Sequence, residues 1–242
     1  MESIIAAAAA AASIGSIALW WRWLMRRRRV WDTRLAEAIP VNSKYWRDRR
    51  TEPGEILYVA VGDSAAQGIG ASRPAHGYVG YTAAMIERVS GRRVQVANLA
   101  TSGATLGIAI ADQLPRLARL EPHILTVSIG ANDIANFDAG RFERQVGQLL
   151  DALPQHAIVA DLPTFYFLPS EKKVRVANRL LREAASARGL RVVDLHRRTR
   201  RYGIWGVARQ FSGDLFHPND RGYRVWASAF ESAVRERIES LR

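Results

Sequence analysis

From residue 55 onward the chain repeats one pattern: a short run of apolar, β-favouring residues, then a stretch with apolar residues three and four apart. The runs are 56–61, 94–98, 124–129, 158–162 and 192–195, and the stretches between them are about 77–90, 105–120, 140–152 and 171–188. Runs that are apolar throughout fit strands buried on both faces, as in a parallel sheet covered by helices. Strict alternation of the two patterns predicts an α/β fold: a three-layer α/β/α sandwich around a five-stranded parallel sheet. Leu106, Ile110, Leu114 and Leu117 mark the second helix, which Pro115 should kink or interrupt. A closing helix over about 219–240 sets Tyr223, Trp226, Phe230, Val234 and Ile238 along one face. Sheets of this class bind ligands beyond the C-terminal ends of their strands, so that edge is where functional residues should gather.

Four polar blocks fall there. The first strand runs into Gly62-Asp63-Ser64, with Gly68 and Gly70 close behind, and the second into 98–105, which holds Ser102 and Gly103. Gly130-Ala131-Asn132-Asp133 follows the third strand; Asp214-Leu215-Phe216-His217 lies beyond the fifth, after a long loop. Turns fall at strand ends in any such fold, and Gly-Asp-Ser is ordinary turn and cap composition, so residue identity has to carry the weight. Ester cleavage requires a nucleophile, a base, a group that orients the base, and donors for the developing oxyanion. Ser64 is the candidate nucleophile and His217 the candidate base, with Asp214 three residues earlier to hold the imidazole. Gly103 can bring its backbone N–H close to substrate, Asn132 can add a side-chain amide, and Ser64 its own N–H.

Together the blocks resemble those of the SGNH hydrolases, the GDSL-type esterases and lipases. The resemblance covers about 55–240, with the blocks in the family's order. It implies a flavodoxin-like sheet, a catalytic pair Ser64 and His217, Asp214 as the acid, and an oxyanion hole from Ser64, Gly103 and Asn132. Two positions depart from the family pattern: Ala65 replaces the usual Leu of the name motif, and Ala100 stands where glycine is frequent. Neither removes a reacting group. No cofactor and no metal is implied.

Other classes bear on the same residues. Asp63, Asp133, Asp161 and Asp194 lie near strand ends, as magnesium-binding carboxylates do in phosphoryl-transfer enzymes, which leaves a metal-dependent phosphoesterase as an alternative. A tethered binding module that keeps the fold without turnover is another. His196 follows Asp194 at a strand end and reads as a surface or cap residue; no histidine spacing points to zinc. The chain has no cysteine, which removes disulfides and thiolate chemistry. Its net charge of +12 comes mostly from scattered arginines without a nucleic-acid-binding motif, so a solvated surface attracted to anionic lipid is expected rather than a nucleic-acid partner.

Residues 3–21 carry no charge, and 19 helical residues span about 28 Å, close to the hydrocarbon thickness of a bilayer. Trp20, Trp21 and Trp23 sit where an interfacial belt would lie, followed by arginines at 26–29. The basic residues come after the apolar run, the reverse of a signal peptide. The division expected is a membrane anchor with its basic flank over 1–29, a connector over 30–54, and a hydrolase domain over 55–242 on the cytoplasmic side. Phe165, Tyr166 and Phe167 after the fourth strand, with Trp205 and Phe211 before His217, are candidates to line a groove for a small-molecule or lipid ester.

Overall fold

The structure is a computed structural model that describes residues 2–166 and 168–241. Strands β1 (Ile56–Gly62), β2 (Val94–Asn98), β3 (Ile124–Ser128), β4 (Ile158–Ala160) and β5 (Arg191–Val193) form one sheet in the order β2-β1-β3-β4-β5. Every pairing is parallel; Val59, for example, lies opposite Ala97 on one side and Leu125 on the other. Successive β1 side chains go to opposite faces, so Ile56, Tyr58 and Ala60 enter one apolar cluster while Val59 and Val61 enter the other. Because both faces are dry, the strands lack the apolar–polar alternation of a half-exposed sheet.

On the first face lie α3 (Tyr78–Ser90) and α10 (Asp220–Glu239), where Tyr78, Trp226 and Phe230 are buried. The opposite face carries α6 (Ala139–Asp151) and α7 (Leu168–Ser186), with Phe142, Val146, Val174 and Leu181 inward. Each such side chain contributes about 1.5–3 kcal/mol by leaving water. Strand order reverses at β1 and β3, which stay paired to Gly62 and Ser128, so the connections leaving their C-terminal ends go to opposite faces and leave the crevice where doubly wound sheets hold ligands.

Three segments differ from the expectation. A helix, α1 (Glu2–Thr51), runs through the stretch expected as a connector, carrying Pro40 within it; Trp46 is 3% exposed against the sheet domain. Residues 105–120 are not simply kinked at Pro115. There α4 (Leu106–Ile108) passes into a π-helical turn over Ala109–Gln113 and then α5 (Leu114–Leu117), with the proline in the first turn of α5, where its missing N–H costs nothing. Within the approach to His217, α8 (Leu195–Arg200) and α9 (Gly203–Gln210) fold. The expected membrane span falls on 3–21, and side chains 3–18 lie outside the described part; among the described residues no helix is long and apolar enough to cross a membrane.

Candidate active site

Ser64 begins α2 (Ser64–Gln67), a single turn seated directly on the end of β1. Asp63 caps it, its Oδ1 accepting from Ala65 N at 2.9 Å, and Gly68 ends it in the left-handed region. This is turn support. Burial pushes the Asp63 carboxyl up to about 6, against the opposing pull of the Ala65 hydrogen bond and of nearby His217. The strand end itself is held by a residue the sequence did not single out. Gln113 is fully buried and grips the Gly62 peptide from both sides, accepting from Gly62 N at 3.0 Å and donating Nε2 to Gly62 O at 2.8 Å.

Between α9 and α10 a tight loop presents the other groups. Phe211 and Pro218 form an antiparallel bridge, Ser212 N donates to His217 O, and Asn219 ties the exit by donating to the carbonyls of Arg209 and Phe211. Asn219 also caps α10, accepting from Arg221 N and Gly222 N. His217 Nε2 lies 2.9 Å from Ser64 Oγ, and His217 Nδ1 lies 2.6 Å from Asp214 Oδ2. Asp214 Oδ1 accepts in turn from Ser212 Oγ, Phe216 N and His217 N. Burial tends to raise the Asp214 carboxyl, but the hydrogen bonds from His217 and Ser212 outweigh it and hold it below the ordinary carboxylate value. The acid therefore stays ionised beside the imidazole. Gly70 permits the approach of this loop to α2: a Cβ there would lie 2.5 Å from Pro218 O and 2.8 Å from His217 Cβ.

After β3, Asn132 opens a short 3-10 turn and donates one amide N–H to Ala104 O at 2.9 Å. Neighbouring Asp133 accepts from Leu106 N, and burial raises its carboxyl above the ordinary range. Gly103 has φ +78 with open space where a Cβ would point. Ser64, Asn132 and His217 all line one cavity of 320 Å³, whose wall does not include Gly103.

That cavity is mostly apolar. Phe165, Tyr166 and Phe211 line it, Phe165 meeting Phe216 edge-on at 6.0 Å and Tyr166 meeting Phe211 likewise at 6.0 Å. Trp205 does not: it is 72% exposed on α9, and Phe167 lies outside the described residues. Leu215, Phe216 and Ile134 also line the cavity without having been anticipated, although Phe216 is adjacent to the histidine and packs edge-on against it at 5.1 Å. Behind the wall, buried Glu171 accepts from Thr164 Oγ1, Phe165 N and His196 Nε2, so His196 is part of a brace for the aromatic segment. Asp161 and Asp194 share Arg182, and among the described residues no group of three or more His, Asp or Glu side chains could hold a metal ion.

A serine hydroxyl, an imidazole and an ionised carboxylate in hydrogen-bonded series, opening on an apolar cavity with an amide nearby, can carry out acyl transfer. The model of the GDSL-like lipase/acylhydrolase family matches residues 60–225, from β1 into α10. The chain belongs to that family. Membership makes it an ester hydrolase, and solved structures share its fold. A metagenomic α/β hydrolase from Lake Arreo, Spain, superimposes with TM-score 0.64 at 23% identity, over 78% of this chain and 99% of that one. A lipase/acylhydrolase from Enterococcus faecalis gives TM-score 0.62 at 17% identity, over 75% of this chain and 96% of that one. An acetylxylan esterase from Geobacillus stearothermophilus gives 0.60 at 20% identity, over 74% and 94%. A search of curated proteins finds no match.

Proposed function

We propose that this family member is a serine esterase that cleaves acyl esters through an acyl-enzyme. The observation that carries the proposal is the unbroken series Ser64 Oγ, His217, Asp214 at 2.9 and 2.6 Å. In the proposed cycle Ser64 Oγ attacks the ester carbonyl as His217 Nε2 takes its proton, and Asp214 holds the imidazole in the matching tautomer. The oxyanion is met by Ser64 N, Gly103 N and the free N–H of Asn132. His217 then gives its proton to the departing alcohol oxygen, and water, activated by the same histidine, releases the acid.

For the acyl group we propose a medium or long chain. The 320 Å³ cavity is walled by Phe165, Tyr166, Phe211 and Phe216, and it lies within the range of small-molecule sites. A tether at residues 3–21, with the tryptophans and arginines behind it, is proposed to hold the domain at a membrane, facing the cytoplasm. A p-nitrophenyl ester series tests the chemistry. Turnover should be present in the full chain, greater for octanoate than for acetate, and lost in Ser64→Ala without loss of fold. Retained turnover in Ser64→Ala removes the serine mechanism; a steep preference for acetate removes the acyl-chain assignment.

A further inference from the structure

Helix α2 is one turn long, so none of its carbonyls has a continuing helix to accept from, and each needs a partner elsewhere. Ser64 O takes Ile69 N and Ala65 O takes Gly68 N, both local. The other two are met by side chains from distant parts of the chain. Ala66 O accepts from Asn98 Nδ2 at 2.8 Å. Gln67 O accepts twice from α1, from Asn42 Nδ2 at 2.9 Å and Trp46 Nε1 at 3.0 Å, both buried. The turn that carries Ser64 is thus fastened from outside the 60–225 segment that the family model covers.

The same helix reaches the loop that carries Asp214 and His217. The Trp31 indole occupies the space beside Gly213, so close that a Cβ on Gly213 would fall 1.8 Å from the indole Nε1. Gly213 stands between Ser212 and Asp214, whose side chains are hydrogen-bonded to each other. Positions 31, 35, 42 and 46 fall on one face of a helix, and Leu35 between them is also buried. From Trp31 to Trp46 that face runs about 22 Å. One helix therefore touches both the turn bearing the Ser64 hydroxyl and the loop bearing Asp214 and His217.

We infer that α1 is a positioning element of the active site: Asn42 and Trp46 fix the turn that carries Ser64, Trp31 backs the Ser212–Asp214 segment, and together they set the approach of His217 to Ser64. The inference rests on the serine mechanism proposed above. It assigns Trp31, Asn42 and Trp46 an effect on the rate of acyl transfer rather than on ester binding, because none of them lines the cavity. Misplacing reacting groups by about 1 Å can cost on the order of 10²-fold in rate. Loss of one backing side chain is expected to cost about tenfold.

The test uses the full chain and a p-nitrophenyl ester, with kcat and KM measured separately, the rate of fluorophosphonate labelling, and the thermal midpoint. Trp31→Ala should lower kcat and labelling about tenfold with KM within about twofold and the midpoint near that of the parent, and Trp31→Phe should restore most of the rate. Gly213→Ala, which expels the indole, should give the same loss, and none further when combined with Trp31→Ala. Asn42→Ala with Trp46→Phe, which strips both donors from Gln67 O while keeping an aromatic ring, should lower kcat independently. Val41→Ala, at a position 62% exposed on the same helix, should change nothing. Parent-like kcat in Trp31→Ala and in the Asn42/Trp46 pair overturns the inference, as does a rate loss in Val41→Ala or one that merely follows the midpoint. A parent protein that neither turns over ester nor labels refutes the serine mechanism itself, a different result from an active parent whose variants all match it.

Discussion

Replacing Gln113 with leucine isolates what holds the Ser64 turn in place. β2 leaves the sheet after Asn98, and beyond that point the Gln113 amide continues the ladder for β1, two residues short of Ser64. Leucine has nearly the same shape but no polar atoms. Gly62 N would lose its Gln113 acceptor, and a buried unsatisfied group costs about 1–3 kcal/mol. Gly62 O keeps a long contact from Thr101 N at 3.4 Å, so its loss is smaller. Burying the apolar leucine returns roughly 1 kcal/mol. The net expectation for Gln113→Leu is a loss of about 2 kcal/mol, read from urea unfolding, out of a total of about 5–15. Turnover should fall about tenfold or more, since Gly62 directs the turn that carries Ser64. Gln113→Glu sharpens the test. Its protonated carboxyl can still accept from Gly62 N and donate to Gly62 O, so folding favours the protonated form and holds its pKa above the unfolded value. That variant should approach the parent at low pH and lose stability as pH rises through the folded value. A leucine variant within about 0.5 kcal/mol of the parent, with unchanged kcat, refutes the reasoning.

Other consequences are checked in the same assays. Gly70→Ala should lower kcat about 10²-fold, because its Cβ would displace His217 from Ser64; a parent-like rate would mean the loop yields without moving the imidazole. Asp63 has a folded value raised to about 6 from 3.8, so it favours folding below 3.8, and that contribution, on the order of 3 kcal/mol, is lost as pH rises to about 6. Asp63→Asn keeps an oxygen for Ala65 N and should remove this slope, gaining on the parent between pH 4 and 8 in chemical unfolding; an unchanged slope would place the titration elsewhere. Phe165→Ala should cost roughly tenfold in kcat/KM for octanoyl ester and little for acetyl ester, whereas equal losses would exclude an acyl-binding role for the ring. EDTA should leave turnover unchanged, and metal-restorable inactivation would revive the phosphoesterase alternative.

Local pattern determined much of this molecule. Five apolar runs gave the five strands, because a strand buried on both faces must be apolar throughout, and the three- and four-residue spacings gave α3, α6, α7 and α10 within a few residues. Ser64, Asn132, Asp214 and His217 were legible as candidates because their chemical types recur at strand ends, and the fold brings all four to one crevice. Tertiary structure decided what pattern does not encode. Gln113 grips Gly62 across 51 positions of sequence, and only folding a π turn against β1 aims its amide there. Trp205 and Phe211 look alike in sequence, yet one faces solvent and the other the cavity, since nothing local distinguishes them. Residues 30–54 read as a charged connector because their inward positions are few and widely spaced. As a helix, those positions align on one face, and Trp31, Asn42 and Trp46 meet the two segments that hold Ser64 and the Asp214–His217 pair. Sequence named the candidate groups; the pairing of distant side chains with backbone sets the geometry in which they meet.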